Sequence, residues 1–385
     1  MDYEMTDEQR AIVDTVRKFS QKEILPRAEE MDALDEFPRD LWDKMGELGL
    51  MGIAIPEEYG GIGGDLMTAV LAIKNLGGSA GLALSYGAHL NLCAHNLLRT
   101  GSPQQREHFL PKLASGEWIG CMALTEPEAG SDATSLRTTA VKDGDEYVLN
   151  GSKTFITNAP IADVALLYAK TNPEAGPMGI TAFIFETDRP GWTVPKKLKK
   201  IGHHGSPTGE IVLEDMRLPA SAVIGAENMG IAVMMAGLDV ERAFFAGAAI
   251  GMAERAFELA LKYATEREQF GRPIAKFQMI QSKLADMYTK IEAARGLSYR
   301  AVRAAQEIER GGKGTDIHKL AAAALLFAAN TAEEVVYDSV QIHGGYGYMD
   351  EYEISRLYRD VRLFTLGAGT TEVRKLVIAR ELLGK

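Results

Sequence analysis

Apolar residues recur at helical spacing through the first third of the chain. Ile12, Val13, Val16 and Phe19 follow Thr6 and Gln9, a capping box that predicts a helix start. Pro38 opens a segment carrying Leu41, Trp42, Met45 and Leu48, and Ser102, Pro103 and Gln105 repeat cap, first-turn proline and box before Phe109 and Leu110. No strand pattern is found before about Gly116. From 117 to about 224 the pattern changes to β-branched and aromatic runs bounded by turn dipeptides. Asp143-Gly144 separates 138–141 from 147–149, and Asn150-Gly151 precedes 154–157, so both pairs predict hairpins. Further strand-like runs at 164–168, 180–185 and 210–213 are separated by loops around Pro177 and Pro190. After Asn228, Ala-, Leu- and Met-rich stretches at 230–267, 278–311, 316–340 and 371–383 predict a four-helix bundle. The order α, β, α has neither strand–helix alternation nor an internal repeat, which disfavours a Rossmann or TIM-barrel enzyme. The expected divisions are 1–116, 117–227 and 228–385.

Composition narrows the class. At roughly 150 residues per domain, 385 residues allow two or three domains, and 46% hydrophobic with 25% charged residues is an ordinary globular balance. The 53 acidic and 42 basic side chains leave a net charge of -11, which repels phosphate backbones, so no nucleic-acid partner is expected. Cys93 and Cys121 form neither a metal-spaced set nor a disulfide framework, as fits a reducing compartment. The first ten residues carry Asp2, Glu4, Asp7 and Glu8 with no apolar core, so no export or transit signal is expected. The longest apolar stretch, 320–329, is shorter than the roughly 20 residues a membrane span needs and reads as a buried helix.

Several motifs are absent or in the wrong setting. Gly61 and Gly63 are followed by Leu66, and Gly367 and Gly369 by Glu372, where a dinucleotide fingerprint needs a third glycine. Residues 77–81 match G-x-S-x-G around Ser79, but a helical stretch precedes them instead of a strand. Helix termination at Gly77 and Gly78 is the expected reading, with a Ser79 hydrolase as a minor alternative. The seven histidines, including adjacent His203 and His204, never take a metal-ligand spacing, so no metal is expected and they read as solvated loop residues. Lys196, Lys197, Lys199 and Lys200 read as a solvated hairpin edge before a phosphate site.

Four clusters carry more. The run MALTEPEAGSD at 122–132 supplies Thr125, Gly130 and Ser131 in a loop leaving a strand. Phe155, Ile156, Thr157 and Asn158 put an aromatic and a hydroxyl one strand further on, as a flat ring hydrogen-bonded at its edge requires. The glycines of QIHGGYG at 341–347 let backbone approach a pyrophosphate. GAGTT at 367–371 opens the last helix.

Taken in this order, with R-x-x-F-G at 267–271 and Gln278 soon after, these clusters resemble the acyl-CoA dehydrogenase family over essentially the whole chain. The stretches 85–93, 156–171 and 237–242 look most like its isovaleryl-CoA dehydrogenase branch. The resemblance implies an α+β multidomain fold: an N-terminal α-helical domain, a middle β-barrel domain and a C-terminal four-helix bundle. It also implies a homotetramer with FAD between domains and subunits, an acyl-CoA thioester substrate and an electron-transfer flavoprotein as acceptor. By the same resemblance Met122, Leu124, Thr125 and Ser131 border the flavin, and Phe155, Ile156 and Thr157 cover its face and edge. Arg267, Phe270, Gln278, Gln341, Gly344 and Gly345 then hold pyrophosphate and adenosine from a neighbouring subunit, joined by Thr370 and Glu372. Ser131 also touches CoA, Asp239 and Arg242 surround the thioester arm, and Leu84, Phe245, Gly367, Ala368 and Gly369 shape the acyl cavity.

The family splits over where its base is mounted. Many members carry glutamate immediately before the Gly-Thr of the last loop, where this chain has Ala368. The isovaleryl and long-chain branches place it on the first bundle helix, and the matching residue is Glu241. Without the resemblance, Glu241 would read as one member of a helical ion pair. Small Gly367 and Ala368 leave lateral room for a branched or cyclic acyl group, while Phe245 stands where the isovaleryl enzymes carry a smaller leucine. No arginine stands in 80–86, where glutaryl-CoA dehydrogenases place one, so a dicarboxylic chain is disfavoured. The expected reaction is FAD-dependent α,β-dehydrogenation of a short branched acyl-CoA in a bacterial cytoplasm, or in the mitochondrial matrix for a processed eukaryotic chain. The alternatives are an oxidase or flavin monooxygenase using oxygen, and a helical scaffold without chemistry.

Overall fold

The computed structural model describes residues 4–311 and 316–384, so the first three residues of the acidic amino-terminal run lie outside it. Helix α1 (Asp7–Phe19) begins at the expected box: Thr6 Oγ1 accepts the Gln9 amide and Gln9 Oε1 accepts the Thr6 amide, each at 3.1 Å. Helices α2 (Ala28–Leu34), α3 (Arg39–Glu47), α4 (Leu66–Lys74), α5 (Leu82–Gly87), α6 (Asn96–Thr100) and α7 (Pro103–Ser115) follow. The second box, at Ser102 and Gln105, closes as expected, and α7 stops at Gly116, whose positive φ of 78° suits a residue without Cβ.

Eight strands follow: β1 (Gly120–Ala123), β2 (Thr139–Asp143), β3 (Glu146–Thr157), β4 (Val164–Lys170), β5 (Ile180–Glu186), β6 (Trp192–Lys197), β7 (Thr208–Pro219) and β8 (Val223–Ile224). They form one sheet in the order β6-β7-β3-β2-β4-β5-β8, with β1 added to β4 in parallel. Inward residues from strands far apart in that order, among them Cys121, Leu149, Ala165, Phe183 and Leu213, meet in one core, so the sheet wraps around it. The other face of β4 and β5, with Leu166, Tyr168 and Ile184, packs against Leu97 and Leu110 of the helices. Burial on both faces explains why β4 reads as an unbroken apolar run.

The second expected hairpin is not there. Asp143 and Gly144 do turn the chain from β2 into β3, but Asn150 and Gly151 lie inside β3, where the pairing with β7 shifts register. This is a bulge that bends a long strand. Asn150 Nδ2 is held by Asp215 Oδ1 at 3.1 Å, and a Cβ on Gly151 would stand 2.5 Å from Thr138 Oγ1.

The carboxy-terminal part contains the four expected long helices, α8 (Gly230–Glu266), α9 (Gln278–Glu309), α10 (Ile317–His343) and α12 (Thr371–Leu382). A short hairpin of β9 (Glu268–Gln269) and β10 (Arg272–Pro273) joins α8 to α9, and α11 (Glu353–Asp360), not anticipated, precedes α12. The 320–329 stretch lies in α10. That helix is apolar enough in composition to cross a membrane, yet more than half of its most apolar window is buried, with Ala321, Leu325 and Ala328 in the bundle core. The same core takes in Val70 and Ile73 of α4, so both helical regions share one interior.

Helices α4 and α8 cross at glycines. A Cβ on Gly251 would lie 2.0 Å from the Lys74 carbonyl oxygen, and one on Gly247 2.8 Å from Val70 Cγ1. Gly251→Ala is therefore expected to force the helices apart and cost roughly 1–3 kcal/mol, read as a lower urea midpoint. Because α8 carries the site described next, activity should fall with it.

Candidate active site

The amino-terminal half of α8 presents Asp239, Glu241, Arg242 and Phe245 on neighbouring turns. Asp239 and Arg242 are buried and paired at 3.2 Å, and burial raises the Asp239 carboxyl even against His318 and Arg242. Arg242 Nε also donates to the Ala368 carbonyl at 3.4 Å, which ties α8 to the loop before α12. In that loop Ala368 has a positive φ of 55°, a strained conformation for a residue with a Cβ. A Cβ on Gly367 would meet Phe245 Cε1 at 3.7 Å, and one on Gly369 would meet Arg242 Nη2 at 3.8 Å. Leu84, from α5, lines one narrow cavity with Phe245 and Phe364. The structure thus gathers the residues expected around an acyl thioester from α5, α8 and the last loop.

Glu241 stands one turn before Phe245 on α8. The residue keeps some exposed surface, but its Oε2 is buried and has no hydrogen-bond partner among the described residues. Burial pushes the carboxyl up to about 7, against the opposing pull of Arg242 and Arg374. Arg374, fully buried on α12, donates to the carbonyls of Phe364 and Gly367, and burial pulls its guanidinium down to about 10. The helical ion pair that the local pattern allowed is not formed. No cation lies within 4 Å of Glu241 among the described residues.

A second group of expected residues sits on the sheet. Met122 is half-buried in β1, Leu124 is buried, and the Thr154 amide donates to the Thr125 carbonyl at 2.9 Å, which sets the 122–125 and 154–157 segments side by side. Phe155 has a positive φ of 59° where β3 and β7 shift register, and its ring is 69% exposed. Ile156 is buried, Thr157 half-buried and Ser131 exposed. Beneath them lies an ion pair that the sequence reading missed. Lys153 Nζ reaches Glu126 Oε1 at 2.7 Å and the Leu124 carbonyl at 3.1 Å, with both side chains buried. Burial pulls the lysine down to about 8. Burial would raise Glu126, but Lys153, Thr138 and the Arg137 amide outweigh it and hold the carboxyl below its usual range. A lysine between Ser152 and Thr154 at an inward strand position was the available signal.

A third group lines an open groove of about 510 Å³ where Arg267 faces Gly344 and Gly345. Phe270 is 93% exposed with a positive φ of 53°, and Gln278 and Gln341 are exposed nearby in sequence. Thr370 caps α12 by accepting the Val373 amide at 3.3 Å, and Glu372 lies exposed in its first turn. None of 122–157 lines this groove. An exposed cation beside two glycines whose Cβ positions are open fits the pyrophosphate of a flavin dinucleotide, and the exposed Phe155 ring fits its flat isoalloxazine.

Other sequence expectations divide. Residues 77–81 follow α4 with no strand before them, and Ser79 Oγ accepts the Ala83 amide at 3.0 Å, so the nucleophile-elbow geometry is absent. Lys196 and Lys197 do lie on edge strand β6, but Lys197 pairs with Asp35 at 3.1 Å and Lys200 donates to the Ser206 carbonyl at 2.6 Å. The solvated-loop reading of the histidines fails. His203 is buried against Phe364 with its amide donating to Asp360, and His204 pairs with Asp32 at 2.9 Å, because the loop is clamped between α2 and α11. Cys93 and Cys121 are buried free thiols.

Sequence profiles of the acyl-CoA dehydrogenase N-terminal, middle and C-terminal domains match residues 6–117, 121–216 and 228–383. The mitochondrial isovaleryl-CoA dehydrogenase of Pongo abelii is 43% identical over 381 residues, 98% of this chain and 89% of that one. Among solved structures, butyryl-CoA dehydrogenase from Megasphaera elsdenii superposes with a TM-score of 0.95 at 40% identity, covering 100% of both chains. A chain solved in work on the electron transferring flavoprotein of Acidaminococcus fermentans gives 0.96 at 42% identity, again over 100% of both. The family works with FAD, which the sheet residues and the Arg267 groove fit. Three domain matches spanning the chain and whole-length likeness in sequence and structure establish that this protein belongs to the acyl-CoA dehydrogenase family, and it is an acyl-CoA dehydrogenase.

Proposed function

We propose that the protein removes the α-proton and β-hydride of a short branched or cyclic acyl-CoA, with Glu241 as the base. The observation that carries this reading is the free, buried Oε2 of Glu241 beside a last loop whose residue 368 is alanine. Arg242 and Asp239 orient the thioester arm, and the Ala368 backbone N–H is assigned to the thioester oxygen, where negative charge grows as the α-proton leaves. The proton passes to Glu241, whose carboxyl at about 7 makes it a stronger base than an exposed glutamate. FAD, when bound, accepts the β-hydride, and the product is the 2-enoyl-CoA. Residues 122–131 and 155–157 hold the flavin in one subunit while the Arg267 groove of another holds its pyrophosphate, in a homotetramer. The exposure of that groove in a single chain supports this arrangement. Likeness to the Acidaminococcus fermentans chain supports an electron-transfer flavoprotein as acceptor, and the bacterial neighbours support a cytoplasmic setting.

Gly367 and Ala368 beside Phe245 favour width over length at the α- and β-carbons, in line with the isovaleryl relative. The test is anaerobic titration of the yellow holoenzyme with isovaleryl-, isobutyryl-, 2-methylbutyryl-, butyryl-, glutaryl- and cyclohexanecarboxyl-CoA. A branched or cyclic thioester is expected to bleach the flavin fastest. Preference for glutaryl-CoA would overturn the pocket reading, and bleaching by none of them would overturn the reaction. The base must be deprotonated, so kcat/KM is expected to rise with pH through about 7 and level off above it.

A further inference from the structure

Residue 368 sits between two pinned carbonyls. The peptide unit joining Gly367 to Ala368 carries the Gly367 carbonyl on one side and the Ala368 N–H on the other. Arg374 Nη2 donates to that Gly367 carbonyl and, at 2.7 Å, to the Phe364 carbonyl. Arg242 Nε donates to the next carbonyl along, that of Ala368, at 3.4 Å. The Gly367 amide closes the turn on the Leu363 carbonyl at 2.8 Å, and Thr371 Oγ1 donates to the Thr365 carbonyl at 3.3 Å. The Ala368 N–H itself donates to no group among the described residues. Its residue holds a positive φ of 55°, a conformation that persists only where the surroundings enforce it.

Arg374 follows Thr370, the cap of α12, by one helical turn, and side chains there lean toward the helix start, which brings the guanidinium under the loop. It is a costly group to bury. The side chain is fully enclosed, its Nε and Nη1 have no hydrogen-bond partner, and it forms no ion pair with a carboxylate, among the described residues. A neutral side chain could donate to the same carbonyls with less loss of solvation. What the cation adds is charge, since a hydrogen bond from a charged donor is roughly twice as strong as a neutral one and polarises the group it holds. Electron density drawn toward the Gly367 oxygen leaves the N–H of the same peptide a stronger donor.

We infer that Arg374 is a positioning residue for the dehydrogenation. Through the Gly367 carbonyl it fixes and polarises the 367–368 peptide, so that the free Ala368 N–H stabilises the thioester oxygen as the α-proton leaves. The inference rests on the assignment of that N–H in the proposed function and adds a residue that acts through the backbone of the last loop.

The test uses the holoenzyme with Arg374→Gln and Arg374→Met, which remove the charge, and Arg374→Lys, which keeps it. The probe is 3-methylcrotonyl-CoA, the 2-enoyl product expected from isovaleryl-CoA, isotope-labelled at its carbonyl. Bound to oxidised wild type, its carbonyl stretch is expected at lower frequency than in water, and the neutral variants should lose much of that shift. They should also reduce the flavin with saturating isovaleryl-CoA roughly 10–100-fold more slowly, with little change in the half-saturating concentration, because the stronger donor acts on charge that develops in the transition state. Arg374→Lys should keep most of both. A neutral variant that retains FAD and either the full shift or the wild-type rate overturns the inference. So does a lysine variant no better than the neutral ones, or loss of FAD from both neutral variants, which would mark a purely structural role. Glu241→Gln separates this inference from the base reading, since it should lose the rate and keep the shift. Absence of any shift in wild type would remove the Ala368 N–H from its assigned place, and this inference with it, while leaving the base to be judged on the Glu241 variant.

Discussion

Glu241→Gln is expected to retain FAD and bind acyl-CoA while losing roughly 1000-fold in the rate of anaerobic flavin reduction. Glutamine keeps the shape and most of the packing of the side chain but cannot take a proton at any working pH. The wild-type carboxyl is raised to about 7 by burial, and its Oε2 is bonded to nothing in the described structure, so little of the fold depends on it. Loss of rate with binding preserved separates a base from a structural acid. The rise of kcat/KM through about 7 should disappear in the same variant. Bleaching near the wild-type rate would remove Glu241 from the role, and Ala368 leaves no carboxylate at the alternative family position to replace it.

Lys153→Met is expected to destabilise the protein by roughly 3–5 kcal/mol, read as a lower urea midpoint. The lysine is fully buried beneath the sheet segments assigned to the flavin, and its removal leaves the Glu126 carboxylate with only the Arg137 and Thr138 donors. A buried charge that loses its partner costs far more than the pair contributes over apolar substitutes. Lys153→Met combined with Glu126→Gln should therefore recover part of the loss, since the amide oxygen still accepts from Thr138 while the charge is gone. Equal stability of the single and double variants would show that the pair is not coupled. FAD retention should follow stability, because Leu124 and Thr125 lie on the strand exit that Lys153 and Thr154 hold.

Much of the architecture was legible because its determinants are local. The boxes at Thr6 and Ser102 each involve residues three apart, and they form as the spacing predicts. The long carboxy-terminal helices follow from runs rich in alanine and leucine. Glu241 was singled out by the resemblance, since on its own it looked like half of an ion pair. The bulge at Gly151 was misread because Asn-Gly is the same dipeptide whether it turns a hairpin or bends one strand against another.

By itself, then, the sequence determined where the capped helices α1 and α7 start, the order of α, β and α regions, and the family resemblance. Only the tertiary structure decided which polar groups lose water. Lys153 meets Glu126 across 27 residues and His203 meets Asp360 across 157, and nothing in either neighbourhood announces the partner. Helix and turn signals act between residues a few positions apart, whereas desolvation is imposed by whatever the fold packs on top. That is why the buried carboxyl of Glu241 and the Lys153–Glu126 ion pair became visible only in three dimensions.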